Sequence, residues 1–170
     1  MKLAITDACI FIDLIELQLT SEFFSLTIEI HTSLDVYNEL YSEQKELLKA
    51  YQSVGKLFIH KIESEERVKI LQEKFPRSLS ENDKTVIYLA EKLQALVLSS
   101  DKAVRNYSRS KAIEYHGMLW IFDKLIESEL LEKSEAITKI DELVSRNLAY
   151  QNNAELSVEI KKRKQIWSPK

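Results

Sequence analysis

Short apolar runs alternate with segments of helical spacing along most of this chain, and that alternation constrains its fold more than any other feature. The runs KLAIT and ALVLSS are apolar at successive positions, as strands buried on both faces are. Strands that alternate with helices form βαβ units around a mostly parallel sheet. We therefore predict a three-layer α/β/α fold with a mostly parallel central sheet and extra C-terminal helices.

Five strands and several helices are predicted from these patterns. The strands are the runs KLAIT, LTIEIHTS, KLFIHKI and ALVLSS, with AIEYHG as an edge strand. One helix is predicted from Leu34 to the stop at Gly55, another opens at Ser80, and a last one carries the basic cluster 161–164. The length of 170 residues suits one domain, 1–170, in which 130–170 form a C-terminal helical extension.

Composition narrows the function classes. The net charge of −3 gives no overall attraction to nucleic acid, so a polyanion has to be held by local basic groups or by metal. The single cysteine, Cys9, excludes an intrachain disulfide and a cysteine-rich metal knuckle. Acids interrupt the N-terminal apolar run, so neither a secretory signal nor a membrane span is expected and the cytoplasm is the default location.

Four acids occupy positions close to predicted strand ends or helix starts. Asp7 follows KLAIT, Glu39 lies about a helical turn past EIHTS, Asp83 is in the first turn of a helix, and Asp101 follows LVLSS. An open parallel sheet places its functional groups beyond the carboxyl ends of its strands. Carboxylates gathered there repel one another, and a hard divalent cation relieves that repulsion. The pattern favours a metal-dependent nuclease if the four acids converge.

The same acids also have a purely structural interpretation. Acidic residues number 27 of 170, so an acid near a strand end is common. Asp83 would favour the positive end of its helix dipole, and Asp101 would cap the next helix. His31, His60 and His116 lack the spacing of a zinc helix and are expected to be surface or packing residues.

The local sequence around each acid, taken in order, resembles the PIN-domain family. Asp7-Ala8-Cys9-Ile10 is similar to the family's first aspartate and the helix that follows it, and Glu39 is similar to its helical glutamate. Ser80 with Asp83, and Ser99 with Asp101, resemble its third and fourth acidic motifs. Cys9 departs from the Ser, Thr or Asn common at that place, and the C-terminal helices are longer than in compact members.

The resemblance implies a Mg²⁺- or Mn²⁺-dependent endoribonuclease of PIN-like fold. Asp7, Asp83 and Asp101 would hold the metal, Glu39 would complete the acidic ring, and Ser99 would orient a carboxylate. Basic residues after Asp101 are the candidates for RNA backbone contacts: Lys102, Arg105, Arg109 and Lys111. Basic residues three and four positions apart on a helix share one face.

The resemblance also implies a biological setting, and two other classes of function remain open. Many small single-domain members are toxins of bacterial toxin–antitoxin pairs, so an antitoxin is an expected partner beside the RNA substrate. A nuclease role in RNA processing outside such a pair is the alternative setting. An exposed apolar helix face would favour a homodimer. The alternatives are a non-catalytic PIN-like interaction module and a phosphoryl-transfer protein, although Asp7-Ala8-Cys9 lacks the Asp-x-Asp expected of the phosphatases.

Overall fold

The computed structural model describes residues 2–169 and shows one five-stranded parallel sheet in the order β3-β2-β1-β4-β5. The strands are β1 Lys2–Thr6, β2 Ile28–Ser33, β3 Leu57–His60, β4 Leu96–Leu98 and β5 Tyr115–His116. All the described strand pairs are parallel, so the predicted parallel α/β fold is confirmed.

Helices connect the strands and extend the chain beyond the last one. Those before β4 are α1 Ala8–Glu16, α2 Thr20–Ser25, α3 Leu34–Glu39, α4 Ser42–Ser53, α5 Ser64–Gln72 and α6 Glu81–Leu93. Those after β4 are α7 Lys102–Ser110, α8 Met118–Glu127, α9 Lys133–Arg146, α10 Leu148–Gln151 and α11 Ala154–Trp167. None of the helices within residues 2–169 has the length and apolarity needed to cross a bilayer.

The two central strands are buried on both faces, as the apolar runs predicted. Ala4 and Ile5 of β1 are fully buried, as are Val97 and Leu98 of β4. Side chains at successive strand positions point to opposite faces, so helices cover both faces of the sheet. The C-terminal helices share this core, since Ile140 and other residues of α9–α11 belong to the same hydrophobic cluster.

The prediction of one continuous helix from Leu34 to Gly55 is wrong. The segment from Leu34 to Gly55 forms two helices, α3 and α4, because Leu40 turns out of the helix with φ −76° and ψ 150°. The backbone N–H of Tyr41 donates to Gln44 Oε1 at 2.9 Å and starts α4. Leu40 is buried, so its side chain stabilises the bend that leaves Glu39 at the end of a short helix.

The strand order places the topological switch point of the sheet, and the crevice beyond it, between β1 and β4. The chain runs from β1 outward through β2 to β3, then crosses to β4 on the other side of β1 and continues to β5. The connections that leave β1 and β4 therefore diverge, and ligands bind in open α/β sheets at such a switch point, beyond the carboxyl ends of the strands. Asp7 and Asp101 are in the connections that leave these two strands.

Candidate active site

Asp7 lies directly at the carboxyl end of β1, where it caps α1. Its backbone N–H donates to the carbonyl of Leu98 at 3.0 Å, which joins the end of β1 to the end of β4. Its Oδ1 accepts from the backbone N–H of Ala8 at 2.7 Å. The carboxylate is only 6% exposed, so the fold holds a buried acid at the switch point.

Ser99 connects Asp7 to Asp101. The Ser99 hydroxyl, fully buried, donates to Asp7 Oδ2 at 2.7 Å and accepts from the backbone N–H of Asp101 at 3.1 Å. The Cys9 thiol donates to the same oxygen of Asp7 at 3.5 Å. Asp7 Oδ2 thus receives two side-chain donors, which orient its carboxylate.

The electrostatics of Asp7 bring Asp83 into the same site. Burial raises the pKa of Asp7 above its usual range, the hydrogen bond from Ser99 lowers it, and the negative charge of Asp83 raises it. Asp83 is on α6, which packs against β1, β2 and β4. The two carboxylates therefore interact across the crevice although 76 residues separate them in the sequence.

Asp101 caps α7, as the structural interpretation predicted, and Asp83 lies in the first turn of α6 and also takes part in its cap. Asp83 Oδ2 accepts from the backbone N–H of Ser80 at 2.7 Å, and the Ser80 hydroxyl accepts from the N–H of Asp83. Asp101 Oδ1 accepts from the N–H groups of Ala103 and Val104 at 2.8 and 3.0 Å. Capping does not exclude a second role, because a carboxylate has about four acceptor positions.

Glu39 reaches the same crevice from α3. Its Oε1 accepts from Asn82 Nδ2 at 2.6 Å, and Asn82 immediately precedes Asp83. Glu39 and Asp101 are exposed, Asp83 is half-buried and Asp7 is buried. Ser99 links Asp7 to Asp101, and Asn82 links Glu39 to the residue that precedes Asp83. The charge of Asp83, which raises the pKa of Asp7, connects these two pairs.

The donor chemistry of this crevice fits a hard divalent cation, although the side chains are not arranged around one. No group of three or more His, Cys, Asp or Glu side chains within residues 2–169 is placed to hold a metal ion. The four acids do offer the carboxylate oxygens that Mg²⁺ prefers, and the repulsion between Asp7 and Asp83 favours a cation there. Because Asp7, Asp83 and Asp101 each cap a helix, a cation has to compete with those caps.

The four predicted RNA contacts lie on α7 or directly after it, and their surroundings differ: Lys102, Arg105, Arg109 and Lys111. The guanidinium groups of Arg105 and Arg109 lie 5.5 and 5.7 Å from the centre of the Tyr115 ring. Lys111 instead pairs with Glu73 at 2.7 Å. Lys102 is exposed in the first turn of α7. The arginine pair is the most concentrated positive charge on this helix.

Sequence patterns did not reveal a histidine cluster on β2 and β3. His31 Nδ1 lies 2.7 Å from His60 Nε2, and His31 Nε2 lies 2.8 Å from Glu29 Oε1. His31 is buried and stacks on Phe58 of the edge strand β3. His31 and His60 are thus packing residues, as expected, but they form a connected pair rather than scattered groups. Parallel pairing of β2 with β3 brings them together, which no local motif indicates.

Tyr150 on α10 was also missed. Its hydroxyl lies 2.9 Å from Ser100 Oγ, so a C-terminal helix contacts the residue between Ser99 and Asp101. The segment around Tyr150 matches no motif, because its partner lies 50 residues earlier in the chain.

An open parallel α/β domain with linked carboxylates at its switch point belongs to the class that binds ligands beyond its strand ends. Comparison with known proteins identifies the family within that class. The family model DUF3368, described as a PIN domain, matches residues 3–163. This chain therefore belongs to the PIN-domain family, which has a nuclease fold, and the predicted resemblance is confirmed.

One similar solved structure is a PilT N-terminus domain protein from the hyperthermophilic archaeon Sulfolobus solfataricus P2. It is 14% identical to this chain, with a TM-score of 0.48, and the match covers 74% of this chain and 94% of that one. No curated protein matches the chain.

Proposed function

We propose that this protein is a divalent-metal-dependent endoribonuclease whose active site is the crevice between β1 and β4. The observation that carries the proposal is the connected set of acids at the switch point of a PIN-family chain, with Ser99 joining Asp7 to Asp101. A bound Mg²⁺ or Mn²⁺ would supply Lewis acidity toward the phosphodiester and offset the charge of the carboxylates.

Each acid has a distinct part in this proposal. Asp7, Asp83 and Asp101 would hold the cation, with Asp7 contributing a preoriented carboxylate because Ser99 and Ala8 already fix it. Glu39 is exposed at the open end and would complete the acidic ring on the side where RNA enters. By donating to Asp7, Ser99 lowers the pKa of that carboxyl and so opposes the effect of burial.

The decisive experiment compares two aspartates that are both exposed. Asp101→Asn should abolish Mg²⁺- or Mn²⁺-dependent cleavage of labelled RNA, because it removes a carboxylate from the crevice. Asparagine is as good an N-cap as aspartate, so α7 should remain capped. Asp141→Asn on α9, which removes an ion pair with Lys164 at 2.6 Å, is the matched control and should cleave as the parent does.

Three results would reject the proposal: cleavage by Asp101→Asn at the parent rate, cleavage undiminished by EDTA, or no cleavage by the parent with either metal. Thermal unfolding of both variants verifies that a loss of activity is not a loss of fold.

We further propose that the enzyme is the toxin of a bacterial toxin–antitoxin pair. The support is its membership of the PIN-domain family, in which many small members have that role. Expression of the parent should arrest growth, expression of Asp101→Asn should not, and a reading frame adjacent to the gene should relieve the arrest. Growth unaffected by active parent protein would favour a nuclease role in RNA processing instead.

A further inference from the structure

A tyrosine from the C-terminal helices enters the network of hydrogen bonds that supports the acidic crevice. Tyr150 on α10 is only 4% exposed, and its hydroxyl lies 2.9 Å from Ser100 Oγ. Ser100 follows Ser99, which donates to Asp7, and precedes Asp101. The hydrogen bond between Tyr150 and Ser100 therefore contacts the loop 99–101, which contains Asp101 and binds Asp7 through Ser99.

The same loop is held on its main chain by Cys9. The backbone N–H of Ser100 donates to Cys9 Sγ at 3.3 Å, and the Cys9 thiol donates to Asp7 Oδ2 at 3.5 Å. The thiol sulfur also lies 3.7 Å from Ser99 Oγ. The loop 99–101 is thus bound by α1 through its backbone and by α10 through the side chain of Ser100.

α10 is itself attached to α1, so its position is set by the same helix that begins at Asp7. The guanidinium of Arg146 donates to the carbonyl of Glu16 at the end of α1, at 3.2 Å. Asn147 caps α10 by accepting from the N–H of Ala149 at 3.0 Å, and its side chain lowers the pKa of Asp13 of α1. These contacts are made three and four residues before Tyr150, about one helical turn away, so they limit where its hydroxyl lies.

The Tyr150 hydroxyl remains protonated and available as a donor. Burial raises the pKa of Tyr150 well above its usual range, which disfavours the phenolate. Replacing tyrosine by phenylalanine therefore removes one hydrogen bond and no charge, and it retains the ring that fills this part of the core.

We propose that Tyr150 is a positioning residue for the active site, which it serves by holding Ser100 and so orienting Asp101 and the Ser99 hydroxyl that binds Asp7. This inference rests on the proposed function, since it concerns the cation that the acids would share. If Tyr150 has this role, the C-terminal helical extension 130–170 takes part in positioning the active site, because α10 supplies the hydrogen bond to Ser100.

The test uses Tyr150→Phe in the full chain, with Tyr88→Phe as a matched control. The Tyr88 hydroxyl donates to Glu66 Oε1 at 3.1 Å, a bond between α5 and α6 that does not touch the loop 99–101. We expect Tyr150→Phe to weaken Mn²⁺ binding, measured by calorimetry, by about threefold to tenfold, the range for loss of one hydrogen bond. Tyr88→Phe should bind Mn²⁺ as the parent does.

Two further readouts separate positioning from a general structural role. Amide hydrogen exchange at Ser100 and Asp101 should accelerate in metal-free Tyr150→Phe, while exchange in the central strand β1 should not change. The rate at limiting Mg²⁺ should fall with KM for RNA unchanged, and excess Mg²⁺ should restore it. Ser100→Ala removes the same bond from its other end and should reproduce all three effects.

Unchanged amide exchange or unchanged Mn²⁺ affinity in Tyr150→Phe would overturn the inference. A parent that binds Mn²⁺, with weaker binding in Tyr150→Phe but no RNA cleavage, would support the role of Tyr150 and reject the ribonuclease. A parent that binds no Mn²⁺ would reject both.

Discussion

Asp7 and Asp13 are two buried aspartates six residues apart, at the start of α1 and within it, yet their surroundings differ. Asp7 is 6% exposed and receives hydrogen bonds from Ala8, Ser99 and Cys9. Asp13 is 5% exposed, and its Oδ2 has no hydrogen-bond partner within residues 2–169. Burial raises the pKa of both carboxyl groups, and raises that of Asp13 to about 6.

The difference shows that a raised pKa does not by itself mark the functional acid here. Burial is the main cause in both cases, but Asp7 also responds to the charge of a second acid, Asp83, across the crevice. Asp13 faces the C-terminal helices, where Asn147 lowers its pKa and the nearby charge of Glu16 raises it. Neighbouring carboxylates at a strand end, rather than burial, indicate the site.

The largest expected effect separates these two aspartates by activity. Asp7→Asn should reduce metal-dependent RNA cleavage by more than about a hundredfold, since it removes a carboxylate charge from the proposed metal site. Asp13→Asn should cleave within a few-fold of the parent, because its side chain lies outside the crevice. Single-turnover cleavage of labelled RNA by the three proteins measures both. Equal losses in the two variants would show that the position at the switch point does not distinguish them.

Asp7 and Asp13 also differ in how well the sequence predicts their positions. Asp7 directly follows an apolar strand, so its place at a sheet edge can be predicted from the run before it. Asp13 interrupts an apolar helical run, where spacing alone does not tell a buried acid from an exposed one. Asn147, which lowers the pKa of Asp13, lies far along the chain at the start of α10, so no local pattern indicates it.

The contacts that link the four acids were less predictable than the acids themselves. Parallel strands are paired across long sequence separations, so the adjacency of β1 to β4 is not visible in local patterns. The role expected of Ser99 came from the family resemblance, which did not identify Asp7 as its partner. Long sequence separation also hides the bond from Tyr150 to Ser100. The break after Glu39 is not predicted by the sequence, because Leu40 and its neighbours have the apolar spacing of a continuous helix.

The second prediction concerns stability and pH at Asp13. Its folded pKa of about 6 lies above the ordinary value of 3.8, so the folded protein binds more protons than the unfolded chain between those values. The contribution of Asp13 to the free energy of unfolding should therefore fall as pH rises from about 4 to about 6, and the penalty should be complete above that range.

Asp13→Asn removes that penalty because the amide has no charge to bury. We expect the free energy of unfolding at neutral pH to rise by about 2 kcal/mol. This gain over the parent should develop between about pH 4 and about pH 6. Urea unfolding across pH measures this, with Asp141→Asn as the control for loss of an exposed aspartate. A variant less stable than the parent at neutral pH would show that the charged form of Asp13 stabilises α10.

The third prediction concerns Arg105 on α7, which is close to Tyr115 of the sheet and to Tyr150 of the C-terminal helices. Its guanidinium is over Tyr115, its Nε is buried without a partner within residues 2–169, and its charge lowers the pKa of Tyr150. Arg105→Ala combined with Arg109→Ala should weaken RNA binding by about tenfold at low salt, and should reduce the salt slope by about two. Fluorescence anisotropy against salt concentration measures both quantities.

Lys111 is also among the predicted RNA contacts, but its ammonium group is paired with Glu73, so Lys111→Ala supplies the comparison variant. It should bind RNA with the parent's salt slope. Identical slopes for the double variant and the parent would mean that this helix does not hold the RNA backbone.

The smallest expected effect adjusts the donor set of Asp7 itself. Burial and the charge of Asp7 raise the pKa of the Cys9 thiol, which therefore stays protonated and donates weakly at 3.5 Å. A hydroxyl is a stronger donor than a thiol. Cys9→Ser should thus lower the pKa of Asp7 and strengthen Mn²⁺ binding by about twofold to fivefold, whereas Cys9→Ala should raise that pKa and weaken binding. Carbon-detected titration of the Asp7 carboxyl and calorimetry measure the two quantities, and changes in the same direction for both variants would show that Cys9 acts through packing rather than through its hydrogen bond to Asp7.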